Sequence, residues 1–371
     1  MRALVTGGAG LIGSHIADAA LTKGYAVRIL DNLDEQTHPE GRPDWVRPDV
    51  EFLQGDVRNR DDLHRALQGV DVIFHQAAFG GFTTELSKYA DSNVVGTVRL
   101  FEAIRERRFP IRKILVASSQ AIYGEGLYEC AAHGPQQPRP RPIEQLERAA
   151  WEVRCPECDR ECKSLLTPES KSKDGTTIYA LSKRAQEEWS LALGQELGIP
   201  VVATRYAVTY GPRQSIFNPY TGVVSIFSTR LLNGKPAVLY EDGRQTRDFI
   251  HVGDVAAANL FLMETPGADG QALNVGTGHP TTVTELVEAL CRALEVPVSI
   301  ERRSEFRPGD ARHVVQDVSR LRALGFHART PVEDGLRSYV AWIRTRSRVR
   351  DYFAEAEQLL KRMRVVRSAA V

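Results

Sequence analysis

The sequence predicts an α/β fold, a doubly wound parallel sheet joined to a smaller C-terminal α/β lobe. Up to about Ser118, short apolar runs rich in β-branched residues alternate with longer amphipathic stretches, the pattern of repeated βαβ units. A glycine-rich turn follows the first apolar run. The chain of 371 residues also exceeds the usual size of a single domain, so we expect the second lobe.

Composition excludes several classes of protein. The 48 Lys and Arg nearly balance the 47 Asp and Glu, so no strong positive field exists and we expect no nucleic-acid partner. The 42% hydrophobic and 26% charged residues are typical of a soluble globular enzyme. The sequence has no apolar run long enough to span a membrane, and Met1 and Arg2 lead into an apolar strand without a signal-peptide pattern. We therefore expect a cytoplasmic protein that does not bind membranes.

Periodicity assigns the elements in chain order. The predicted strands are residues 3–6, 26–30, 50–53, 71–75, 113–117 and 201–205, and the predicted helices are 12–23, 94–108, 180–197, 223–232 and 352–367. The last helix is basic and is interpreted as a solvated surface helix. Residues 125–176, which are rich in proline and hold four cysteines, interrupt the alternation and are interpreted as an insertion.

The turn after the first strand has the pattern of a dinucleotide-binding loop. Its glycines, Gly7, Gly10 and Gly13, allow a tight turn and close approach of the backbone to a pyrophosphate, which the following helix N-terminus attracts. Asp31 follows the second strand, where a carboxylate accepts hydrogen bonds from an adenosine ribose and repels a 2′-phosphate. The next two residues, Asn32 and Leu33, provide no arginine that could neutralise a 2′-phosphate. The sequence therefore predicts a Rossmann-type domain that binds NAD rather than NADP.

Other residues at the carboxyl ends of the strands complete the predicted cofactor site, because ligands bind at this edge of such sheets. The cofactor-binding residues predicted from position are Gly7, Gly10, Leu11, Ile12, Gly13, Asp31, Asn32, Asp56, Val57, Gln76, Ala77 and Ala78. We expect the NAD-binding domain to span residues 1–205, with the insertion inside it. Residues 206–345 then form most of the second lobe, with some segments returning to the first domain, and 346–371 form the basic C-terminal helix and tail.

A base for proton transfer is predicted from Tyr179 and Lys183. The two residues are four positions apart and so share one face of a helix. An ammonium one turn away and a nearby nicotinamide cation would both favour the phenolate of Tyr179. Ser119, at the end of the fifth strand, supplies a hydroxyl to orient the substrate oxygen.

Taken together, these motifs resemble those of the extended short-chain dehydrogenase/reductase family of nucleotide-sugar epimerases and dehydratases. The segments that carry the resemblance are 6–13, 93–97, 119–124 (Ser-Gln-Ala-Ile-Tyr-Gly), 179–183, 205–206 with 210–212, and 247–252. The resemblance implies Ser119, Tyr179 and Lys183 as the catalytic triad, with Lys183 also on the nicotinamide ribose and with Asn93 and Tyr206 in the cofactor site.

The resemblance also implies what binds between the lobes. A nucleoside-diphosphate sugar is the implied substrate, with Arg247 and Arg307 as diphosphate contacts, and guanidinium groups suit phosphate oxygens. It implies a homodimer formed through helices 94–108 and 180–197. Family members commonly carry Asn at the position of Val208. We therefore expect the missing polar contact from Asn218 or Arg213.

The residues after Ser119 favour one reaction. In the family, 4,6-dehydratases carry Asp-Glu at the positions of Gln120 and Ala121, and decarboxylases usually carry Glu at the second. Neither residue here ionises, so both reactions are disfavoured and 4-epimerisation remains. Several stretches resemble those of dTDP-L-rhamnose 4-epimerases, which implies a dTDP-6-deoxyhexose such as dTDP-L-rhamnose. The alternatives are an NAD(P)H-dependent 4-ketoreductase of a deoxysugar, a dehydratase, and a noncatalytic protein that binds NAD or zinc.

The insertion carries a predicted metal site. Cys130-x-x-His133 and Cys155-x-x-Cys158 form two ligand pairs separated by 21 residues, the spacing of a small zinc ribbon. Cys162 is an alternative member of the set, and unliganded reduced thiols are the alternative to a metal. Four protein ligands leave no open position, so the predicted zinc is structural.

Overall fold

The computed structural model describes residues 1–81, 83–217 and 222–370. Within these residues the strands are β1 Arg2–Thr6, β2 Ala26–Asp31, β3 Glu51–Gln54, β4 Val72–His75, β5 Lys113–Ser119, β6 Leu127–Cys130, β7 Gly134–Gln136, β8 Lys163–Leu165, β9 Val201–Tyr206, β10 Val208–Tyr210, β11 Ala237–Tyr240, β12 Thr246–His251, β13 Ala272–Val275, β14 Pro280–Thr282, β15 Ile300–Arg303, β16 Glu305–Phe306, β17 His313–Val314 and β18 Arg367–Ser368.

Helices separate most of these strands. They are α1 Leu11–Thr22, α2 Arg60–Leu67, α3 Ser87–Tyr89, α4 Gly96–Arg107, α5 Ile143–Glu147, α6 Ile178–Leu197, α7 Val223–Leu232, α8 Val252–Met263, α9 Val283–Leu294, α10 Ser319–Ala323, α11 Val332–Ile343 and α12 Phe353–Arg362. A π-helical segment, Ala90–Val95, precedes α4, and 3₁₀ turns span Gln120–Tyr123 and Pro266–Ala268.

The main sheet is parallel and has the strand order β13-β9-β5-β4-β1-β2-β3. The inner strands of the sheet are mostly buried and apolar because both faces are covered. One face packs against α1 and α8, and the other packs against α2 and α4. The chain therefore winds both ways from β1, which confirms the predicted doubly wound α/β fold. The order reverses between β1 and β4, where such sheets open a crevice.

A second, smaller set of strands stands beyond the carboxyl edge of the main sheet. β12 pairs with β10 and β17 in parallel and with β14 antiparallel, and β11 pairs with β15. Residues of α7, α9 and α11 form a separate hydrophobic core with these strands. β13 returns to the main sheet. The domain boundaries at 205 and 345 stay a prediction.

The predicted C-terminal helix over 352–367 is too long. Helix α12 ends at Arg362, and Arg364 adopts a left-handed backbone with φ +56°. The chain then forms β18, which pairs antiparallel with β16. The helix is also packed rather than solvated on one side, since Phe353 and Leu360 are buried. Tertiary pairing with a strand about 60 residues earlier thus overrides the local helical pattern.

The structure bears on membrane association in one respect. Among the described residues there is no helix long and apolar enough to cross a membrane.

Candidate active site

A cleft of about 690 Å³ lies between the carboxyl edge of the main sheet and the second lobe. Most of the predicted site residues line it. Those on the cleft wall are Gly7, Gly10, Leu11, Ile12, Gly13, Asp31, Asn32, Asp56, Val57, Gln76, Ala77, Ala78, Ser119, Tyr179, Lys183, Tyr206 and Arg247. The topology thus brings residues from widely separated stretches of sequence to one site.

The glycine turn between β1 and α1 forms the floor of the cleft. Gly7 has φ +67°, and a Cβ at this residue would lie 2.8 Å from the backbone of Ala77. A Cβ at Gly13 would overlap the carbonyl oxygen of Gly7. Two of the three glycines are therefore required by close approach of backbone to backbone, and the first turn of α1 opens directly on the cleft.

Carboxylates stand on one side of this floor. Asp31 is buried, and its two oxygens accept backbone N–H bonds from Ala9 and Leu33, each at 2.9 Å. Asp56 accepts from Asn32 Nδ2 at 2.9 Å. Burial opposes ionisation of Asp56, but the hydrogen bonds from Arg58 and Asn32 outweigh it and lower the pKa. The side chains suit hydroxyl donors such as those of a ribose and repel an added phosphate.

Gln76 provides one further test of whether the cleft fits a polar ligand. Among the described residues, Gln76 Nε2 is a buried donor without a hydrogen-bond partner, and Gln76 lines the cleft. The Tyr206 hydroxyl lies 3.1 Å from Gln76 Oε1 and 2.9 Å from Asn259 Oδ1, which fixes this wall. An unpaired buried donor costs free energy unless a ligand accepts from it, so the cleft is suited to a polar ligand.

Ser119 stands at the end of β5, where the strand stops. Its hydroxyl accepts from the backbone N–H of Ala121 at 3.1 Å, which starts the 3₁₀ turn. Ser119 also pairs in register with Tyr206 of β9. The hydroxyl is therefore held at the cleft wall by rigid neighbours.

Tyr179 and Lys183 lie on the first two turns of α6, which Thr177 caps by accepting from the Ala180 N–H at 3.1 Å. Burial raises the pKa of Tyr179, and a hydrogen bond from Ser119 lowers it. Burial also lowers the pKa of Lys183 to about 7. Lys183 Nζ donates to Gln186 Oε1 at 2.5 Å, and the expected effect of its ammonium on the phenol stays a prediction. Burial has the larger effect, so the pKa of Tyr179 lies above that of a free phenol, and Ser119 only partly offsets the rise.

A buried chain of hydrogen bonds connects Lys183 to the glycine turn. Gln186 Nε2 donates to the hydroxyl of Thr97 at 2.9 Å, and this hydroxyl lies 2.9 Å from Nε2 of His75. Nδ1 of His75 lies 2.7 Å from the hydroxyl of Thr6. Burial and the charge of Lys183 lower the pKa of His75 to about 3, so the neutral ring bridges the two hydroxyls. Lys183 and the glycine turn are thus positioned by one polar network.

The sequence analysis missed a second network behind Ser119. Glu187 accepts from Ser118 Oγ at 2.7 Å and from Arg205 Nε and Nη2 at 2.9 and 2.7 Å. Burial opposes ionisation of Glu187, but Arg205 outweighs it and lowers the pKa. Arg205 also donates to the Tyr123 hydroxyl at 2.8 Å. Glu187 is four residues after Lys183, so its helical spacing was the available signal.

Several predicted residues do not line the cleft. Asn93 is buried behind the cleft. Its side-chain amide forms hydrogen bonds with the backbone N–H and carbonyl of Phe79 and with the hydroxyl of Ser182. Arg213 pairs with Asp18 at 2.6 Å, and the guanidinium of Arg307 stacks over a tyrosine ring. Asn218 lies outside the described residues.

Arg247 does line the cleft. It donates to the backbone carbonyls of Thr246, Ala311 and Arg312 at 2.9, 2.6 and 3.1 Å. The guanidinium is thereby held rigidly against the second lobe. Val208, which stands where family members commonly carry Asn, also lines the cleft.

The four predicted metal ligands lie together, away from the cleft wall. The ligand atoms of Cys130, His133, Cys155 and Cys158 are all within 4.8 Å of one another. Cys162 is not a member of this group, although it is buried in the same small cluster.

Comparisons with known proteins agree with this geometry. Residues 3–142 and 160–276 match the model of the NAD dependent epimerase/dehydratase family. The dTDP-L-rhamnose 4-epimerase of Burkholderia thailandensis is 33% identical over 92% of this chain and 94% of its own length. The UDP-glucose 4-epimerase of Thermus thermophilus, solved in complex with NAD, is 30% identical with a TM-score of 0.71, covering 93% of this chain and 99% of that one. The UDP-glucose 4-epimerase of Thermotoga maritima, solved with UDP-glucose, is 27% identical with a TM-score of 0.74 and the same coverage.

Proposed function

Because the chain belongs to the NAD-dependent epimerase/dehydratase family, we propose that it is an NAD-dependent nucleotide-sugar 4-epimerase. One observation carries the proposal. A single cleft holds a dinucleotide-type glycine turn, Asp31 and the trio Ser119, Tyr179 and Lys183, and no residue from 117 to 124 is a carboxylic acid.

The proposed cofactor site uses the cleft residues described above. Gly7, Gly10 and Gly13 with the first turn of α1 would hold the pyrophosphate, and Asp31 would hold the adenosine ribose. Lys183 would bind the nicotinamide ribose. When bound, NAD supplies the acceptor and later the donor of a hydride at C4 of the sugar, so it is regenerated in each turnover.

In the proposed mechanism, the phenolate oxygen of Tyr179 takes the proton of the C4 hydroxyl as the sugar is oxidised. Ser119 donates a hydrogen bond to the same sugar oxygen and holds it next to Tyr179. After the 4-keto sugar turns in the cleft, Tyr179 returns the proton to the oxygen as the opposite face is reduced. The product differs from the substrate only in configuration at C4.

Dehydration is disfavoured by what stands beside Ser119. Eliminating water across C5 and C6 needs an additional acid and base, whereas Gln120 and Ala121 occupy those positions on the cleft wall. The carboxylates among the described lining residues are Asp31, Asp34, Asp56 and Asp310. Asp31 ends β2, and Asp34 and Asp56 follow β2 and β3, on the side that we assign to the cofactor.

For the substrate we propose a dTDP-6-deoxyhexose such as dTDP-L-rhamnose. The support is the 33% identity to a dTDP-L-rhamnose 4-epimerase over nearly the whole chain. Arg247 is the proposed diphosphate contact, because its guanidinium is fixed at the cleft and charge-assisted bonds to phosphate are strong.

The test is incubation of the purified protein with a panel of dTDP-, UDP-, GDP- and CDP-sugars without added cofactor. We expect a 4-epimer of one sugar, identified by NMR, and we expect Tyr179→Phe to abolish turnover while sparing bound NAD. In a parallel incubation with NADH, its stoichiometric consumption would instead identify a 4-ketoreductase. Unchanged activity of Tyr179→Phe would refute the mechanism.

A further inference from the structure

The insertion between β5 and α6 contains a closely packed set of soft ligands. Cys130 and His133 flank the turn between β6 and β7, and a second turn begins after Cys155 and includes Cys158. In that second turn the Cys155 N–H donates to the Arg160 carbonyl at 2.8 Å, and the Asp159 N–H donates to the Cys155 carbonyl at 2.9 Å. Both ligand pairs are therefore presented by ordered turns.

Three of the six separations between the ligand atoms match a tetrahedral zinc site, and all six are within 4.8 Å. With Zn–S near about 2.3 Å and Zn–N near about 2.0 to 2.1 Å, tetrahedral geometry requires S···S separations of about 3.8 Å and S···N separations of about 3.6 Å. Sγ of Cys130 lies 3.7 Å from Sγ of Cys158. Nδ1 of His133 lies 3.6 Å from Sγ of Cys130 and 3.4 Å from Sγ of Cys155.

The surroundings indicate a structural rather than a catalytic ion. Four protein ligands close a tetrahedral shell and leave no position for substrate. Apart from Cys162, which packs among them, the buried neighbours are Tyr128 and Val153. The other ring nitrogen of His133 lies 3.9 Å from the carboxylate of Glu157, which is longer than a hydrogen bond. Such a small cluster has little apolar area to order itself.

The cluster is connected to the cleft by buried charges. The Tyr128 hydroxyl donates to Glu125 at 2.9 Å, and Glu125 accepts from the backbone N–H of Arg312 at 2.8 Å. The Arg312 side chain is fully buried and pairs with Glu152 of the insertion and Glu241 of the second lobe, at 2.6 and 3.0 Å. The insertion is thus fixed to the segment just before β17.

That segment forms part of the cleft wall. The residues 309–311 and Val314 line the cleft, and the carbonyls of Ala311 and Arg312 hold the guanidinium of Arg247. Movement of the insertion would therefore displace the wall that faces the sheet.

We propose that Cys130, His133, Cys155 and Cys158 bind one structural Zn²⁺ ion, which orders the insertion and through it holds residues 309–314 at the cleft. The ligand thiols are deprotonated when zinc binds, and their protons pass to solvent. The consequence for nucleotide-sugar binding rests on the proposed function, whereas the metal site itself does not.

The first test is metal analysis of the full-length protein, purified without a histidine tag. We expect about one zinc per chain, lost in Cys155→Ser and Cys158→Ser. Cys162→Ser and Cys291→Ser are the matched controls, because Cys162 lies beside the ligands and Cys291 lies in the core of the second lobe. Both should keep the ion. Wild-type protein without stoichiometric metal, or loss of zinc from Cys162→Ser, would overturn the assignment.

A second measurement covers the case in which the ligand variants do not fold. Cobalt exchanged into the wild-type protein should give the intense visible bands of a tetrahedral thiolate site. A weak octahedral spectrum, or a disulfide between two of these cysteines found by mass spectrometry, would refute the site.

The link to the cleft is tested on protein from which a chelator has removed the metal. Trypsin should then cleave within residues 125–176 faster, and dTDP should bind more weakly than to the zinc-loaded protein. Restored protection on adding Zn²⁺ supports the link, and unchanged cleavage and binding would contradict it. Metal content and protease protection do not depend on epimerase activity. They therefore test the zinc site even if the proposed function is wrong.

Discussion

At the scale of single residues, burial and one neighbouring hydroxyl act in opposite directions on the pKa of the candidate base, Tyr179. Burial raises the pKa of Tyr179 and the Ser119 side chain partly offsets this, whereas Lys183 donates to Gln186. Sequence spacing showed that Tyr179 and Lys183 share a helix face, but it could not show which partner each polar atom would choose. Charges and hydrogen bonds in a buried site depend on residues from other elements, here Thr97 and His75.

The pH profile tests the role of Ser119. If Tyr179 acts as phenolate, activity rises with pH through its pKa, which burial raises and the Ser119 hydrogen bond lowers. Ser119→Ala removes the lowering contribution. We therefore expect the acidic limb of kcat/KM to move to higher pH and kcat to fall by about 10²–10³.

Ser119→Thr is the matched control, since it keeps the hydroxyl. Its acidic limb should stay near that of the wild type. A Ser119→Ala profile with the wild-type limb would show that the hydroxyl does not tune the phenol.

At the scale of elements, one face of helix α6 carries both the candidate catalytic residues and one partner of a buried ion pair. Its first turns carry Tyr179 and Lys183 to the cleft, and its next turn buries Glu187 against Arg205 of β9. The helix and strands of this region were predictable because apolar periodicity extends over whole elements. The pairing of β18 with β16 was not, because its partner is distant in sequence and the local pattern is helical.

The buried pair between Glu187 and Arg205 should be important for stability. Both side chains are nearly inaccessible, so Glu187→Ala leaves an unpaired buried guanidinium. We expect a loss of about 3–5 kcal/mol in the free energy of unfolding, measured by urea titration. The adjacent Glu188 makes exposed pairs with Lys173 and Arg184, so Glu188→Ala should cost at most about 1 kcal/mol. Equal losses in the two variants would contradict this assignment.

At the scale of the whole molecule, the motifs predicted the doubly wound sheet because each βαβ unit carries its own periodicity and its own polar terminus. The positions of Arg213 and Arg307 were not predictable, since both depend on how the second lobe packs against its neighbours. The connection from Glu152 in the insertion to Arg312 was also not predictable, because it joins residues far apart in the chain.

The predicted homodimer has a candidate surface on this fold. Ile178, Leu181 and Trp189 are exposed on α6, and Val95 is exposed next to α4. Apolar side chains exposed on neighbouring helices are typical of a protein interface. We propose that a second copy covers this face, so Trp189→Glu should yield a monomer in light scattering. Val298→Glu, at an exposed apolar residue of the other lobe, should remain dimeric, and a dimeric Trp189→Glu would refute the interface.

The most direct test of the proposed epimerase is the fate of the hydrogen at C4. The purified protein should be incubated in D₂O, without added cofactor, with each sugar of the panel, and the product analysed by NMR. Because the hydride leaves and returns without exchange with solvent, we predict a 4-epimer that keeps its C4 hydrogen, and no epimer from Tyr179→Phe. Deuterium at C4, or no new isomer from any sugar, would contradict the proposed mechanism.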